Sequence, residues 1–358
     1  ALLGHDGRRS GPNIVNALAH GLRMSGFDAV STGLITTPGL AHLTRMGDWA
    51  FGAMVSASHN PADDNGVKLF SGEGGKLSDE TEIAIEALLH ADDAPSAECE
   101  RTPVDHELEL GYLQYLLDGA AQGLALGGMS IVLDCANGGG SRIAPRVFGR
   151  LGARVNVIGA EPDGANINAD CGSTHPQALR ETVRSTGAAL GIALDGDGDR
   201  CILVDETSEL VHGDGIMTAL ARHAAGRSEY KDPRIVATVM SNRGLHRALR
   251  EVGVDIVEVG VGDRRVVEGL RREGLTLGGE QSGHIVFGAE NHFIGDGIYT
   301  ALRILRILVE SGRPLSELVA PYQPYPQILL NVPVASKPNL EGLKRFCEAR
   351  DRVTEELG

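Results

Sequence analysis

The most reactive pair in the sequence is Ser58-His59, which lies in the stretch Met54-Val55-Ser56-Ala57-Ser58-His59-Asn60-Pro61, between an apolar run and a helix-breaking proline. A polar turn at the end of a strand is a place where a nucleophilic side chain can stand clear of a sheet. We interpret Ser58 as the reactive group, carried as a phosphoserine. A protease-type nucleophile is less attractive because no Gly-x-Ser-x-Gly elbow surrounds it. The alternative for this stretch taken alone is an ordinary turn of Ser, Asn and Pro.

Three aspartates at alternate positions, Asp195, Asp197 and Asp199, offer hard oxygen ligands for Mg²⁺ or Ca²⁺. A calcium-binding EF-hand loop that began at Asp195 would place Glu206 at its twelfth position. Arg200, however, occupies the sixth position, where that loop needs glycine, and the flanking apolar runs are typical of strands instead of helices. The sequence therefore predicts a metal site, and the other alternative is a solvated acidic turn.

A phosphorylated Ser58 would fit beside such a metal site. Mg²⁺ commonly completes its octahedron with water or phosphate oxygens. The cation would offset the repulsion between three carboxylates and a phosphate that carries roughly two negative charges. Arg200 could add a bidentate grip on the phosphate. Phosphoryl transfer is therefore the class of chemistry that these residues favour.

Alternating strands and helices must position these residues. Apolar runs at 51–55, 190–194 and 275–278 each precede a polar loop, and the third of these loops spans 279–284. Ligands in open α/β sheets bind at the carboxyl ends of strands, so the three loops could share one cleft. We find no fixed-period repeat.

Composition agrees with an acidic α/β enzyme. At 358 residues the chain suggests two to four domains, and 42% hydrophobic residues with 48 glycines favour many strand-to-helix turns. The net charge of −15 argues against nucleic acid as a partner. No apolar run reaches the roughly 18 residues of a membrane span. Five scattered cysteines without a Cys-x-x-Cys spacing predict a reduced, cytoplasmic protein.

The motifs Ser-Ala-Ser-His-Asn-Pro, Asp-Gly-Asp-Gly-Asp-Arg and Gly-Glu-Gln-Ser-Gly-His, in this order, resemble those of the α-D-phosphohexomutases. The resemblance covers essentially the whole chain. The residues at 64–68 (Asp-Asn-Gly-Val-Lys) and 75–77 (Gly-Lys-Leu), together with Gln281, are most similar to those of the bacterial branch that acts on glucosamine phosphates.

The resemblance implies a multi-domain α/β fold, with three similar α/β domains around a central cleft and a partial C-terminal α+β domain. We expect domain I over 1–104, domain II over 105–207, domain III over 208–320 and the partial domain IV over 321–358. A strand over 328–334 and a helix over 340–357 would form this last part.

The resemblance also implies roles for individual residues. Ser58 would be the phosphoserine and, with Asp195, Asp197 and Asp199, would bind one Mg²⁺ per active site. The other candidate catalytic residues are His59 beside the serine, Lys68 for proton transfer at the sugar hydroxyl, Arg200 for contact with the phosphoryl group, and Arg8 near the phosphoserine. Lys68 taken alone would more often be a solvated charge.

The third loop would bind the sugar. Glu280 and Ser282 would hold sugar hydroxyls, and His284 would lie beside them, although a lone histidine is more often structural. Two departures from the family stand nearby: Gly260 replaces a usual lysine, and Arg265 replaces a common tyrosine.

The implied activity is the interconversion of glucosamine 6-phosphate and glucosamine 1-phosphate, which feeds amino-sugar nucleotide and cell-wall precursor synthesis. A hexosamine 1,6-bisphosphate would act as primer and intermediate. Alternatives are a phosphomannomutase or phosphoglucomutase, a metal-dependent sugar phosphatase, and an inactive sugar-phosphate-binding remnant. The expected partner is a hexose or hexosamine phosphate, with no nucleic acid and no membrane, and the resemblance allows a homodimer.

Two family segments have no counterpart in the sequence. These are the early Gly-x-Asp-Gly-x-Arg-Gly segment and the phosphate loop Arg-x-Ser-Gly-Thr-Glu of the fourth domain. The chain therefore looks like a fragment. We expect it to bind Mg²⁺ but to be a poor mutase, because an oriented phosphate clamp contributes much of the positioning.

Overall fold

The computed structural model describes residues 1–88, 99–227, 231–330, 333–336 and 338–357. Two compact units make up the chain, Ala1–Tyr325 and Pro326–Gly358. Among the helices of the described residues, none is long and apolar enough to cross a membrane.

We call each sheet, together with the helices beside it, a layer. The first layer contains a four-stranded sheet and, among the described residues, three helices. Its strands are β1 (Leu2–His5), β2 (Val30–Leu34), β3 (Phe51–Val55) and β4 (Val67–Ser71). Its helices are α1 (Gly11–Met24), α2 (Thr37–Met46) and α3 (Asp79–Leu88). The strand order is β2-β1-β3-β4, in which β1 is parallel to both β2 and β3, and β4 is antiparallel to β3.

The second layer repeats this order and adds one strand. Its strands are β5 (Ser130–Asp134), β6 (Arg154–Ile158), β7 (Leu190–Leu194), β8 (Cys201–Val204) and β9 (Leu210–Val211). Its helices are α4 (Glu109–Asp118), α5 (Ile143–Arg150) and α6 (Gln177–Thr186). The order is β6-β5-β7-β8-β9, with β8 antiparallel to β7.

The third layer has the same plan in a shorter sheet. Its strands are β10 (Arg234–Thr238), β11 (Asp255–Val259), β12 (Gly278–Gly279) and β13 (Ile285–Val286). Its helices are α7 (Gly213–Gly226), α8 (Arg243–Arg250), α9 (Asp263–Glu273), α10 (Gly297–Ser311) and α11 (Leu315–Val319), with a 3₁₀ turn at Gly288–Asn291. The order is β11-β10-β12-β13.

The three polar loops occupy equivalent positions in the three sheets. Each loop joins the last parallel strand to the antiparallel strand beside it: β3 to β4, β7 to β8, and β12 to β13. Strand β7 is apolar and buried at all five positions, as expected of a strand covered on both faces. The sequence prediction of a polar loop after an apolar strand is therefore confirmed at 51–55 and 190–194, while the third strand is shorter than the run at 275–278 and spans only Gly278–Gly279.

Helix α10 packs between layers and begins at the second loop. Its N-cap residue Asp296 accepts hydrogen bonds from the Tyr299 N–H (2.9 Å) and from the Tyr112 hydroxyl of α4 (2.7 Å). The Gly297 N–H at the start of the helix donates to the Gly198 carbonyl (3.0 Å). The third layer thus holds the loop of the second layer directly.

The second unit differs from its sequence prediction. The strand predicted over 328–334 is not observed in those of its residues that the structure describes, which exclude 331 and 332. A strand needs a neighbour for its backbone hydrogen bonds, and within the described part of this unit no strand is present. The predicted helix is present as α12 (Lys344–Leu357), which follows a 3₁₀ turn at Leu340–Gly342.

Candidate active site

Ser58 lies just after β3 in a strained backbone conformation. Its φ angle is +50°, in the left-handed region that a residue with a Cβ adopts only at a cost of about 1 to 3 kcal/mol. The Ser58 hydroxyl donates to Oδ2 of Asp195 at 2.6 Å, and its N–H donates to the Ser56 hydroxyl at 2.8 Å. The strained turn therefore aims the predicted nucleophile at the first aspartate of the second loop.

Arg8 is fully buried beneath this serine loop. Its guanidinium donates to four backbone carbonyls of the loop, those of Ser58, Asn60, Pro61 and Asp64. Its Nε also donates to Oδ2 of Asp6 at 2.9 Å. Arg8 thus lies near Ser58, as predicted, but its donors face the loop backbone, so its structural role is to hold the loop in shape.

Asn168, from the second layer, binds the same loop from the other side. Its Nδ2 donates to the carbonyls of Ser58 (2.9 Å) and Asn60 (3.1 Å). Gly196 lies against this contact, where a Cβ would come within 2.6 Å of the Ser58 carbonyl oxygen and 2.8 Å of Asn168 Nδ2. Glycine is therefore required at 196 so that the two loops can touch.

The loop from Asp195 to Arg200 is held by backbone donors from all three layers. Its successive carbonyls at 196, 197 and 198 each accept one N–H, and the donors are Gly139 (2.8 Å), Thr37 (2.8 Å) and Gly297 (3.0 Å). The Thr37 hydroxyl also donates to Oδ2 of Asp197. Bonds from three separate segments fix the backbone that carries the aspartates.

The three aspartates meet in one buried cluster. A carboxylate oxygen from each of Asp195, Asp197 and Asp199 lies within 4.8 Å of the other two. Burial and the charges of Asp199 and Asp197 raise the pKa of Asp195 well above its ordinary value. Burial alone would also raise the pKa of Asp197, but the Lys68 ammonium, together with hydrogen bonds from Thr37 and Asp195, outweighs burial and lowers that pKa.

These carboxylates fit a divalent cation. Oδ1 of Asp197 and Oδ1 of Asp199 are buried and have no hydrogen-bond partner among the described residues. Uncompensated buried anionic oxygens are costly, and a cation bound between them would satisfy both. The flanking elements β7 and β8 are strands, and Glu206 instead binds the Ser316 hydroxyl, so the EF-hand alternative is wrong.

Lys68 extends from β4 into the aspartate cluster. Its ammonium lies 2.6 Å from Oδ2 of Asp197 and 3.5 Å from Oδ2 of Asp199. Burial opposes the charged form, but the two carboxylates more than offset it and raise the pKa of Lys68 above its ordinary value. Lys68 is therefore a buried, charged part of this site and not a solvated surface lysine.

Arg200 and His59 border the same cluster. Nε of Arg200 lies 4.0 Å from Oδ1 of Asp199 and has no hydrogen-bond partner in the described part of the chain. Nδ1 of His59 lies 3.4 Å from the Ser58 hydroxyl oxygen. Burial and the nearby Arg200 lower the pKa of His59, which favours its neutral imidazole.

The third loop is attached to the second through the backbone. The Cys201 N–H, next to Arg200, donates to the Gly283 carbonyl at 3.0 Å. Oε1 of Glu280 accepts the Gly262 N–H at 2.9 Å. The Ser282 hydroxyl and Nδ1 of His284 are buried, and among the described residues neither has a hydrogen-bond partner. The loop thus keeps polar atoms that a bound sugar could satisfy.

A cavity of about 340 Å³ lies beside the second and third loops, touching Asp199 and His284. It is in the size range of small-molecule sites. Its wall includes Lys76 from the first layer and Asp263 from α9, which form an ion pair, and Arg264. Burial would raise the pKa of Asp263, but Lys76, His284 and the Arg264 N–H together outweigh it and lower that pKa to about 2. The cavity therefore has cationic groups beside the aspartates.

The sequence prediction missed several of these residues. Thr37, Asn168 and the Lys76–Asp263 pair were not singled out, because each acts through a partner that is far away in the sequence. At the family departure Gly260, a Cβ would lie 3.8 Å from Cγ of Arg265, so the arginine stem runs beside the position that lacks a side chain.

Comparison with known proteins gives three matches that together cover most of the chain. Residues 1–96, 111–209 and 212–325 match, respectively, the α/β/α domains I, II and III of phosphoglucomutase/phosphomannomutase. These ranges parallel the predicted domains I to III, whose boundaries remain predictions.

Similar proteins carry consistent names. The chain is 47% identical to a phosphoglucosamine mutase of Symbiobacterium thermophilum, over 99% of this chain and 80% of that protein. It is 45% identical to the phosphoglucosamine mutase of Ligilactobacillus salivarius, with the same coverage of 99% and 80%. A crystal structure of a phosphoglucomutase/phosphomannomutase family protein from Burkholderia thailandensis matches with a TM-score of 0.77 and 27% identity, covering 90% of this chain and 71% of that one.

The family resemblance predicted from the three motifs is thereby confirmed, and with it the multi-domain α/β fold. The loops that carry the motifs lie at equivalent positions in three matched domains. The chain belongs to the phosphoglucomutase/phosphomannomutase family and is an isomerase of the phosphohexomutase class.

Proposed function

We propose that the protein interconverts glucosamine 6-phosphate and glucosamine 1-phosphate through a phosphorylated Ser58 and a bound hexosamine 1,6-bisphosphate. The observation that carries the proposal is the 2.6 Å hydrogen bond from the strained Ser58 to Asp195, within a cluster of three buried aspartates. The names of relatives at 45 to 47% identity support glucosamine phosphate as the substrate.

In the first transfer, a hydroxyl of the bound sugar phosphate attacks the phosphorus on Ser58. The new bond joins the sugar oxygen to phosphorus, and the bond between phosphorus and Ser58 Oγ breaks. The sugar hydroxyl loses a proton and Ser58 Oγ gains one. The neutral imidazole of His59, 3.4 Å from Oγ, suits the reverse exchange in the second transfer, in which Ser58 Oγ gives up its proton as it attacks phosphorus. The second transfer returns the other phosphoryl group of the bisphosphate to Ser58.

Lys68 enters this scheme in its charged form. Because Asp197 and Asp199 stabilise the ammonium, Lys68 keeps its proton and is suited to neutralise phosphoryl oxygens by charge and hydrogen bonding. Asp195, Asp197 and Asp199 would hold a Mg²⁺ ion, whose charge would offset that of the transferring phosphoryl group when it is bound.

The third loop and the cavity would bind the sugar. The unpartnered Ser282 hydroxyl and Nδ1 of His284 are available to sugar hydroxyls, and Glu280 offers a carboxylate to a hydroxyl or to the ammonium group of an amino sugar. Lys76 and Arg264 line the cavity and could receive the phosphate that does not react. Exclusion of water would protect the phosphoserine from hydrolysis.

The test is phosphorus NMR of the purified protein with glucosamine 6-phosphate, Mg²⁺ and the bisphosphate primer. Enzyme is used at a concentration comparable to that of substrate, so that a single turnover is visible. We expect glucosamine 1-phosphate without inorganic phosphate, and we expect glucose and mannose phosphates to react more slowly. Intact mass should show one phosphoryl group, which is lost in Ser58→Ala.

Other products would favour the alternatives. Inorganic phosphate as the main product would indicate a phosphatase, and faster turnover of mannose or glucose phosphate would assign a different sugar. Binding without any turnover would indicate an inactive remnant.

A further inference from the structure

Two carbonyl oxygens of the serine loop converge on the same pair of nitrogen donors. The carbonyls of Ser58 and Asn60 each accept a hydrogen bond from Nη2 of Arg8, both at 2.9 Å. Each also accepts one from Nδ2 of Asn168, at 2.9 and 3.1 Å. Arg8 belongs to the same layer as Ser58, whereas Asn168 comes from the second layer, 110 residues further along the chain.

The convergence of these carbonyls follows from the left-handed turn at Ser58. Two oxygens with partial negative charge repel each other unless donors lie between them. Asn168 is well suited to supply these donors, because its side chain is buried and both of its amide hydrogens are used. Its own φ of +58° is one that asparagine tolerates better than most residues.

The contact lies where the serine loop meets the metal-binding loop. Gly196 packs directly against the Ser58 carbonyl and the Asn168 amide, without room for a side chain. A small rotation of the serine loop would therefore move Ser58 relative to Asp195. Asn168 makes its described hydrogen bonds from Nδ2 only to backbone carbonyls of this loop, so it can act on the reaction through Ser58.

We infer that Asn168 is a positioning residue for phosphoryl transfer: its amide fixes the Ser58 and Asn60 carbonyls and thereby holds the Ser58 side chain against the aspartate cluster. This inference rests on the proposed function of Ser58. Because the amide lies beneath the loop, its removal should slow the transfer step and leave sugar binding nearly unchanged. A displacement on the order of 1 Å at a reacting atom can cost about a hundredfold in rate.

The first test is Asn168→Gly, which removes the amide and tolerates the positive φ. We expect kcat, and the rate at which bisphosphate phosphorylates Ser58, to fall about 10- to 100-fold. KM should change less than threefold, by the same reasoning. Hydrogen exchange of the metal-free protein should accelerate in a peptide that covers 56–64. The matched control is Asn166→Ala, whose amide donates to the Glu161 carbonyl within its own loop and should leave exchange at 56–64 unchanged.

A second variant distinguishes a loss of positioning from a loss of protein stability. Asn168→Asp keeps size and tolerance of positive φ, but an ionised carboxylate faces the two carbonyls without a donor. Its transfer rate relative to wild type should be low at neutral pH and should rise as the pH falls, because a protonated carboxyl regains one donor. A purely structural role would give no such recovery.

The outcomes separate this inference from the proposed function. If wild-type protein isomerises the sugar phosphate but Asn168→Gly phosphorylates Ser58 at the wild-type rate with unchanged exchange at 56–64, the positioning role is wrong. The inference is also overturned if Asn168→Gly raises KM by the same factor as it lowers kcat and the transfer rate of Asn168→Asp relative to wild type does not change with pH. If wild type shows neither turnover nor phosphorylation, the failure belongs to the proposed function, and the exchange result still decides whether Asn168 holds the loop.

Discussion

The candidate metal-binding loop at 195–200 and the candidate sugar-binding loop at 279–284, called the metal-binding and sugar-binding loops below, occupy the same position in two similar sheets, yet they are held differently. Three backbone donors from three layers fix the loop at 195–200, and its aspartates are buried. The loop at 280–284 is held mainly by its own layer, through the Glu280 N–H to the His284 carbonyl and the Gly262 N–H to the Glu280 carboxylate. One segment of the second layer, at Cys201, also contacts it.

This difference matches what each loop must bind. Three carboxylates that converge on one point repel each other, so their backbone needs strong external support and their charge needs a cation. Sugar hydroxyls are neutral and ask for donors and acceptors that the protein has not already used. The unpartnered atoms of Ser282 and His284 fit that need. In this proposal, the same loop position binds a cation in the second layer and sugar hydroxyls in the third.

The largest effect should come from Asp197→Asn in the metal-binding loop. It removes an anionic ligand while keeping size, and it also removes the charge that Lys68 contacts at 2.6 Å. We expect turnover to fall about a thousandfold and Mg²⁺ affinity measured by calorimetry to weaken strongly. Thermal stability should change little, since the loss of the Lys68 contact is offset by weaker repulsion within the cluster.

The control for this variant is Asp205→Asn. Asp205 is a buried aspartate of the same layer, but it accepts the N–H groups of Thr207 and Glu209 in a turn after β8. We expect lower stability with normal Mg²⁺ affinity. If Asp197→Asn bound Mg²⁺ as tightly as wild type, the proposal that the loop at 195–200 binds the cation through its carboxylates would be wrong.

A smaller effect is expected from Glu280→Gln in the sugar-binding loop. Glutamine still accepts the Gly262 N–H but loses the negative charge offered to the sugar. We expect KM to rise about tenfold, a difference of roughly 1.4 kcal/mol, with a larger change for glucosamine phosphate than for glucose phosphate. Steady-state kinetics with both sugars measures this.

Calorimetry completes the Glu280 test. Mg²⁺ affinity should stay normal, in contrast to Asp197→Asn. Glu258→Gln, on strand β11 at the surface beside Arg243, serves as the control that should change neither quantity. A loss of Mg²⁺ binding in Glu280→Gln would mean that the two loops are not separate in function.

Sequence reasoning succeeded where the signal is local. The bounds of β3 and β7 coincide with the apolar runs at 51–55 and 190–194, and the three aspartates follow from alternate positions within five residues. Strand β4 was missed, because its polar Lys68 and Ser71 hide the alternation. The strand predicted over 328–334 is not observed in the described residues of that range, because an apolar run becomes a strand only where a neighbour pairs with it.

The supporting contacts of the site were beyond sequence reasoning for a related reason. Asn168 and Ser58 are 110 residues apart, and Thr37 and Asp197 are 160 residues apart. Asparagine and threonine in loops are ordinary turn residues in any single sequence. Their roles arise only from the way in which three layers stack, which no spacing rule encodes. The residues that meet at the candidate site, Ser58 and the three aspartates, could therefore be predicted, and the groups that position them could not.

The smallest effect on the site itself should come from Asp296→Asn, which changes mainly the pH dependence of stability and tests how α10 supports the metal-binding loop. Burial raises the pKa of Asp296 to about 6, even though the Tyr299 N–H and the Tyr112 hydroxyl oppose the shift. A raised folded-state pKa means that the stability contributed by the protonated carboxyl is fully present below the unfolded value near 3.8 and is lost as the pH rises through about 6. Asparagine keeps the acceptor for the Tyr299 N–H and does not titrate.

The difference in unfolding free energy between wild type and Asp296→Asn should therefore change with pH. Wild type should be the more stable protein at pH 4.5, and the variant should be the more stable one at pH 7.5. The expected change is on the order of 1 to 3 kcal/mol. Urea unfolding of the metal-free proteins at several pH values measures it. Mg²⁺ affinity at pH 7.5 should stay within a few-fold of wild type, because the Gly297 N–H still donates to the Gly198 carbonyl. If the difference in unfolding free energy does not vary with pH, Asp296 is not the titrating group at this helix terminus. A large loss of Mg²⁺ affinity would mean that the aspartate supports the loop through its charge instead of through the helix that it caps.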